Sequence, residues 1–484
     1  MIERLNDKTF KRNTKYPEKF IQFGEGNFLR AFADWIIHQM NQKLDFNAGV
    51  LVIQPRNKDT VYRLMEQDGL YTVLLNGIDQ GALVDRAEVV SSIVRGMNSY
   101  KEFDAYLMAA DNPELQFVLS NTTEAGIAYE PKDKFDDRPP SSFPAKLTRF
   151  LYQRYKTFKG DPEKGLYILP CELIDRNGDV LKEIILLLAE DWDLGPEFKN
   201  WIEQSNYFYN TLVDRIVPGF PKDKSQKMTE TLGYQDDFMV QAEVFHLWVI
   251  EGPDHIRDVF PADQAGLNVL FVDDLTPYRD RKVRILNGAH TSMVPVAYLY
   301  GLDTVRQALE NKVTGEFIRS TIYDEIIPTL DLPENELNQF AEDVLDRFLN
   351  PFVAHYLIDI SLNSMSKFET RVLPSLLEYY KRKGILPKKL VFSLAALINF
   401  YRGKRGEDII QLKDDQEYLA LYEKLWQGYP ETNSLRSITH SVLALTDLWG
   451  SDLNMIPGLT EQVAHDLELI TEQGMQKALA EVIS

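Results

Sequence analysis

The sequence predicts an α/β domain with a mainly parallel sheet over residues 1–280, followed by a mostly α-helical domain over residues 281–484. Three observations carry this expectation. Short apolar runs alternate with amphipathic segments through about residue 280, as buried parallel strands and crossover helices would. From about Lys282 onward the apolar residues recur with the helical period instead. Pro277 stands just before this change and is a candidate hinge, because proline and the residue before it both resist helix.

In chain order, strands are expected at 20–23, 50–54, 116–120, 166–169 and 267–272, each an apolar run closed by polar or turn-forming residues. Open parallel sheets bind ligands just outside such carboxyl ends. The second half carries amphipathic stretches around 303–312, 335–349, 352–363, 388–402, 415–427 and 461–482. No internal repeat or low-complexity tract interrupts either half.

The composition narrows the class of function. At 484 residues the chain can hold two or three domains with cores of their own, and 44% hydrophobic against 26% charged residues predicts that all of it folds. Lys and Arg number 53 and Asp and Glu 73, a net charge of −20 that repels phosphate backbones and anionic lipid surfaces. Neither nucleic acid nor membrane is an expected partner, although a local basic pocket for a small acid stays open. The single cysteine, Cys171, cannot form an internal disulfide. The N-terminal segment lacks the apolar core of a signal peptide, so the expected location is the cytoplasm. The oligomeric state leaves no signature.

The stretch KFIQFGEGNFLR over 19–30 reads as a strand, a Gly-x-Gly turn and a helix start. Gly24 would permit the tight turn, and Gly26 would let backbone amides approach a pyrophosphate at the helix N-terminus. The usual third glycine is absent, with Phe28 and Leu29 in that region, so a plain turn after a strand is the other reading. The strand expected at 50–54 runs into Pro55, Arg56 and Asn57, with no acidic residue for an adenosine ribose. Arg56 could instead meet a 2′-phosphate, which leaves NAD and NADP undecided from residues alone. Residues 120–126, SNTTEAG, would lie at the same sheet edge, near a nicotinamide, or serve as turn formers.

The strongest chemical constellation is RKVRILNGAHTS over 281–292. On an α-helix, at about 100° per residue, Lys282 and His290 lie about 80° apart and Asn287 roughly 140° from Lys282, so all three can border one cleft. Carbonyl reduction needs a proton for the oxygen and donors for the charge that develops there, and Lys, Asn and His supply both. Gly288, Ala289 and Ser292 would let this helix approach a neighbour closely. The competing reading is a helix with an exposed lysine and a satisfied core histidine.

Lys282-x4-Asn287-x2-His290 resembles the catalytic motif of the polyol-specific long-chain dehydrogenases, the mannitol dehydrogenase family. Gly24-x-Gly26-x-Phe28-x-Arg30-Ala31, the run QDGLYT from Gln67, and Thr123-Glu124-x-Gly126 resemble further motifs of that family in the same order. Stretches such as VLSNTTEAGI, PCELIDRNGD, TLVDRIV and EIIPTLDLP resemble members that act on sugar acids. The resemblance implies a Rossmann-type N-terminal domain, a helical C-terminal domain, NAD as cofactor, no catalytic metal, and hydride exchange with the keto carbon of a six-carbon keto-uronate. It implies cofactor contacts at Phe23, Gly24, Gly26, Asn27, Phe28, Arg30, Thr123 and Glu124.

By the same resemblance Lys282 is the general acid/base, Asn287 polarises the carbonyl and His290 positions the substrate. Mannitol dehydrogenases tend to have Cys-Asp-Asn where this chain has Cys171, Glu172 and Leu173, and leucine cannot replace that Asn as an oxyanion donor. Lys367 and Arg371 stand one helical turn apart, and a uronate carboxylate needs such a cationic partner where a neutral polyol does not. Both are expected at the substrate, with an exposed basic helix face as the alternative. Asp214, followed by Arg215, is a further candidate at the sugar or half of a buried ion pair. No metal-ligand motif is present: His246 and His255 lack a third ligand, and Cys171 reads as a buried thiol. A sibling reductase for an epimeric keto-uronate or a polyol is the nearest alternative. A non-catalytic nucleotide- or sugar-acid-binding protein is the more distant one.

Overall fold

The structure is a computed structural model that describes residues 2–12, 15–123, 125–352 and 354–484. It divides into two compact units, one of residues 1–76 and 83–275, the other of residues 77–82 and 276–484.

The first unit is organised by a six-stranded sheet of Glu18–Phe23 (β1), Gly49–Gln54 (β2), Ile93–Asn98 (β3), Phe117–Ser120 (β4), Tyr167–Pro170 (β5) and Tyr207–Phe208 (β6). Every pairing in it is parallel and the order is β3-β2-β1-β4-β5-β6. That is the order of the doubly wound dinucleotide-binding fold, whose direction reverses between β1 and β4 and opens a crevice at their carboxyl ends. All six residues of β2 are buried, as expected where helices cover both faces of a sheet. Two apolar clusters flank the sheet, one around Phe20, Phe117 and Trp248, the other around Phe23, Phe143 and Phe150.

Four of the expected strands enter this sheet. The fifth, observed as Val269–Val272, instead pairs in a separate three-stranded sheet with Leu247–Glu251, which is antiparallel to Asn210–Asp214. Apolar runs specify burial but not the sheet that receives them. The long strands Tyr71–Asp79 and Ala82–Val90 were not expected; Gln80 and Gly81 join them, both at positive φ, as a two-residue hairpin turn requires.

The second unit is mostly helical, and the helices expected near 335–349, 388–402 and 415–427 are found as Glu334–Phe348, Lys388–Phe400 and Gln416–Gln427. The stretch 461–482 is two helices, Leu459–Gln473 and Met475–Ile483, parted at Gly474 with φ +83°. The expected helix at 352–363 shrinks to Leu357–Ile360. Pro351 cannot continue the preceding helix, and Tyr356 forms an antiparallel bridge with Thr304 instead. Among the described residues no helix is long and apolar enough to cross a membrane.

Candidate active site

At the crevice of the first unit, β1 ends at Phe23 and the chain turns through Gly24, whose φ of +121° a side chain would resist. A Cβ there would stand 3.1 Å from the Asn121 carbonyl oxygen, so the turn packs on the loop after β4. Gly26 differs: its φ is −68°, and a Cβ on it would meet nothing within 4 Å. A glycine that its own fold does not require, exposed beside Asn27 at a helix start, fits the surface a pyrophosphate needs.

The candidate cofactor residues divide by orientation. Gly26 and Asn27 are exposed and Phe28 is half-buried, stacked on Phe32 at 5.0 Å between ring centroids. The Phe23 side chain is fully buried, so only its backbone can serve a ligand. Arg30 turns inward and donates to the Glu25 carbonyl, to Asn27 Oδ1 at 2.7 Å and to the Phe238 carbonyl. It braces the turn from beneath. Thr123 has φ +99°, a strained value for a β-branched residue, and Glu124 lies outside the described residues.

Glu172, not singled out as a site residue from sequence, holds the loop after β4. Its buried carboxylate accepts from Ser120 Oγ, Thr122 N and Thr122 Oγ1, each at 2.9 Å. Burial raises its pKa against those bonds. The only sequence signal was its place beside Leu173, which is 62% exposed. Cys171 is buried, which pushes its thiol well up. Asp214 and Arg215 are both buried; Arg215 donates to the carbonyls of Glu243 and Ala31 and lies over the Trp35 ring at 4.3 Å. His246 accepts from Asn268 N at 3.1 Å, and burial lowers it to about 3.

In the second unit the segment carrying Lys282 and Asn287 is a π-helix, Lys282–Gly288, set between Thr276–Arg281 and the α-helix Ala289–Tyr300. The α-helical spacing assumed from sequence is therefore corrected. Each turn of a π-helix holds more residues, so each residue rotates by less than 100°, and Lys282 and Asn287 come closer to one face than roughly 140°. Such bulges concentrate at functional sites.

Asn287 is half-buried, and its side-chain amide has no hydrogen-bond partner among the described residues. His290 Nε2 is likewise buried without a partner. The His290 ring lies 4.3 Å from Phe348 and 5.0 Å from His355, the latter edge-on at 78°. Burial, then the charges of His355, Arg347, Arg371 and Lys367, pushes its pKa well below the usual histidine range.

Lys367 and Arg371 belong to the helix Ser364–Arg371, which packs on the π-helix at Gly288: a Cβ there would stand 2.9 Å from the Arg371 carbonyl oxygen. This is the close approach the small residues permit. Both cations are half-buried. Lys367 Nζ donates to the Ile360 carbonyl at 2.8 Å, and the Arg371 guanidinium has no partner among the described residues. Burial lowers the pKa of each, and Arg371 adds to the effect at Lys367. The second unit thus gathers Lys282, Asn287, His290, Lys367 and Arg371 on three touching helical elements, the π-helix, the α-helix Ala289–Tyr300 and the helix Ser364–Arg371.

The mannitol dehydrogenase Rossmann domain matches residues 18–259, and the mannitol dehydrogenase C-terminal domain matches residues 274–471. An altronate oxidoreductase from Bacillus subtilis (strain 168) is 51% identical over 478 residues, covering 99% of this chain and 98% of that protein. One from Phocaeicola vulgatus is 50% identical over 485 residues and covers all of both. Among solved structures, substrate-free D-sorbitol dehydrogenase has a TM-score of 0.82 at 21% identity, covering 99% of this chain and 100% of that one. Pseudomonas fluorescens mannitol 2-dehydrogenase, in a ternary complex with NAD and D-mannitol, has a TM-score of 0.65 at 19% identity, covering 99% of each. These two share the fold. With both domains of one family matched in order along a chain half identical to full-length relatives, the chain belongs to the mannitol dehydrogenase family of oxidoreductases.

Proposed function

We propose that the protein is an NAD-dependent oxidoreductase that interconverts D-tagaturonate and D-altronate in galacturonate breakdown, with Lys282 as general acid/base. The observation that carries the choice of a sugar acid is the half-buried Arg371, whose guanidinium has no partner among the described residues, one turn from Lys367. A bidentate, charge-assisted pair with a carboxylate would satisfy it. The altronate oxidoreductases at 51% and 50% identity support the same substrate.

Gly24, Gly26 and Asn27 would hold the cofactor's pyrophosphate, with the loop 121–123 at the neighbouring strand end. The nicotinamide, when bound, supplies hydride to the keto carbon. In this reading Arg371 and Lys367 fix the carboxylate, and that binding orients the ketone. The Asn287 amide donates a hydrogen bond to the carbonyl oxygen and stabilises the charge that grows there. Lys282 Nζ delivers the proton that makes the oxygen a hydroxyl, and removes it in the oxidative direction. His290 Nε2, buried and without a partner, donates to or accepts from a neighbouring substrate oxygen.

The test is loss of NADH absorbance with D-tagaturonate, with D-fructuronate and D-fructose in parallel. Turnover with tagaturonate that is abolished by Lys282→Ala, while NADH still binds, is the expected result. Preference for another ketose transfers the function to a sibling enzyme. No turnover with any of them overturns the catalytic reading.

A further inference from the structure

We propose that His355 is a third contact for the acidic end of the substrate, completing with Lys367 and Arg371 a cradle beside His290, and that it sets the preference for a keto acid over a neutral ketose. The inference rests on the sugar-acid reading above.

His355 sits on the short extended segment that replaces the expected helix, and this segment is pinned on both sides. The His355 carbonyl accepts from Val305 N at 3.0 Å, Tyr356 bridges Thr304, and Leu357 N donates to the Asp303 carbonyl at 2.9 Å. The imidazole is therefore presented from a fixed backbone. Its ring is half-buried, edge-on to His290, and neither ring nitrogen has a hydrogen-bond partner among the described residues. Two neighbouring imidazoles with unused nitrogens ask for a ligand with several oxygens.

The charges around the pair specify what kind. Arg347, Lys367 and Arg371 all act on His290 from two helices, and Arg347 also acts on His355. The carboxylates that act on the group are Asp359 on His355, Asp414 on Lys367 and Asp343 on Arg347. Asp414 already accepts from the Met365 amide and the Tyr401 hydroxyl. No carboxylate among the described residues acts on Arg371. A carboxylate offers two oxygens, each able to accept more than one hydrogen bond, so it can engage Arg371, Lys367 and an imidazole N–H together. A neutral ketose leaves the Arg371 guanidinium uncompensated.

Steady-state kinetics with saturating NADH decide the matter for His355→Phe, which keeps the ring packing on His290 but removes both nitrogens, and for His355→Gln, which restores a donor. The expected result is at least a tenfold rise in KM for D-tagaturonate in the Phe variant, kcat within threefold, unchanged NADH affinity, and recovery of most of the loss in the Gln variant. The ratio of kcat/KM for tagaturonate over fructose should fall by at least tenfold. His355→Ala carries the same expectation if the Phe variant melts early. An unchanged KM in the His355 variants, with KM raised in Arg371→Met, overturns the role of His355 and leaves the sugar-acid reading standing. An unchanged KM in Arg371→Met as well overturns that reading. A loss confined to kcat means His355 acts only through His290 and also overturns the proposal.

Discussion

Gly288→Ala is the sharpest probe of how the second unit assembles its site. Gly288 has φ −65° and ψ −44°, so alanine suits its backbone and should gain about 1 kcal/mol over glycine within a helix. The added Cβ, however, would lie 2.9 Å from the Arg371 carbonyl oxygen, against about 3.3 Å for ordinary close C···O contacts. That oxygen is backbone at the end of a packed helix, so the helix must retreat by a few tenths of an ångström rather than turn a rotamer. Overpacking of this kind costs roughly 1–3 kcal/mol, leaving a net loss of about 0–2 kcal/mol. At roughly 2–4 °C per kcal/mol, Tm should fall by less than about 8 °C. The displacement reaches Arg371 itself. Hydrogen bonds to charged groups contribute about 1.5–3 kcal/mol, and losing a third to a half of one raises KM for the keto acid about three- to tenfold. Calorimetry and steady-state kinetics on the same preparation read both effects. A native Tm with unchanged KM and kcat would refute the argument that this approach positions Arg371.

Gly26→Ala should leave Tm unchanged, since nothing lies within 4 Å of the new methyl, yet weaken NADH binding by at least tenfold in a fluorescence titration; an unchanged Kd removes Gly26 from the cofactor surface. Asp34 is buried, and burial lifts its carboxyl to about 7 against the Gln22 hydrogen bond and the Arg30 charge. The native state then holds this proton more tightly than the unfolded chain, so stability is fullest below about pH 4 and is withdrawn as pH rises toward 7, on the order of 4 kcal/mol in all. Asp34→Asn should flatten this part of the decline in Tm between about pH 4 and 7, and an equally steep decline contradicts the assignment. Glu172→Gln turns an amide N–H toward a site with three donors, and should cost about 2–4 kcal/mol by denaturant titration while weakening NADH binding. Wild-type stability and affinity in that variant would show that the loop after β4 does not depend on Glu172.

What the sequence determined by itself is local. The order of strand, Gly-x-Gly turn and helix, the change of period near Lys282, and the spacing of Lys282, Asn287 and His290 are set by neighbours along the chain, where periodicity reports which face is buried. Four strands of the parallel sheet were legible for this reason. Partners distant in the chain were not. The strand Val269–Val272 is as apolar as the others, and only pairing with Leu247–Glu251 assigned it to a different sheet. The resemblance implies a cofactor contact at Arg30, but only the fold showed its guanidinium donating to the Phe238 carbonyl, and Glu172 gained its meaning from Ser120 and Thr122. The π-helix was hidden because apolar spacing along the chain reports a buried face and does not distinguish an i→i+5 register from an i→i+4 one. His355 reached His290 only because Pro351 ended one helix and a bridge to Thr304 held the next residues extended. Local sequence sets which groups are available; tertiary packing decides which of them are spent on the fold and which are left to meet a substrate, because that depends on acceptors supplied from elsewhere in the chain.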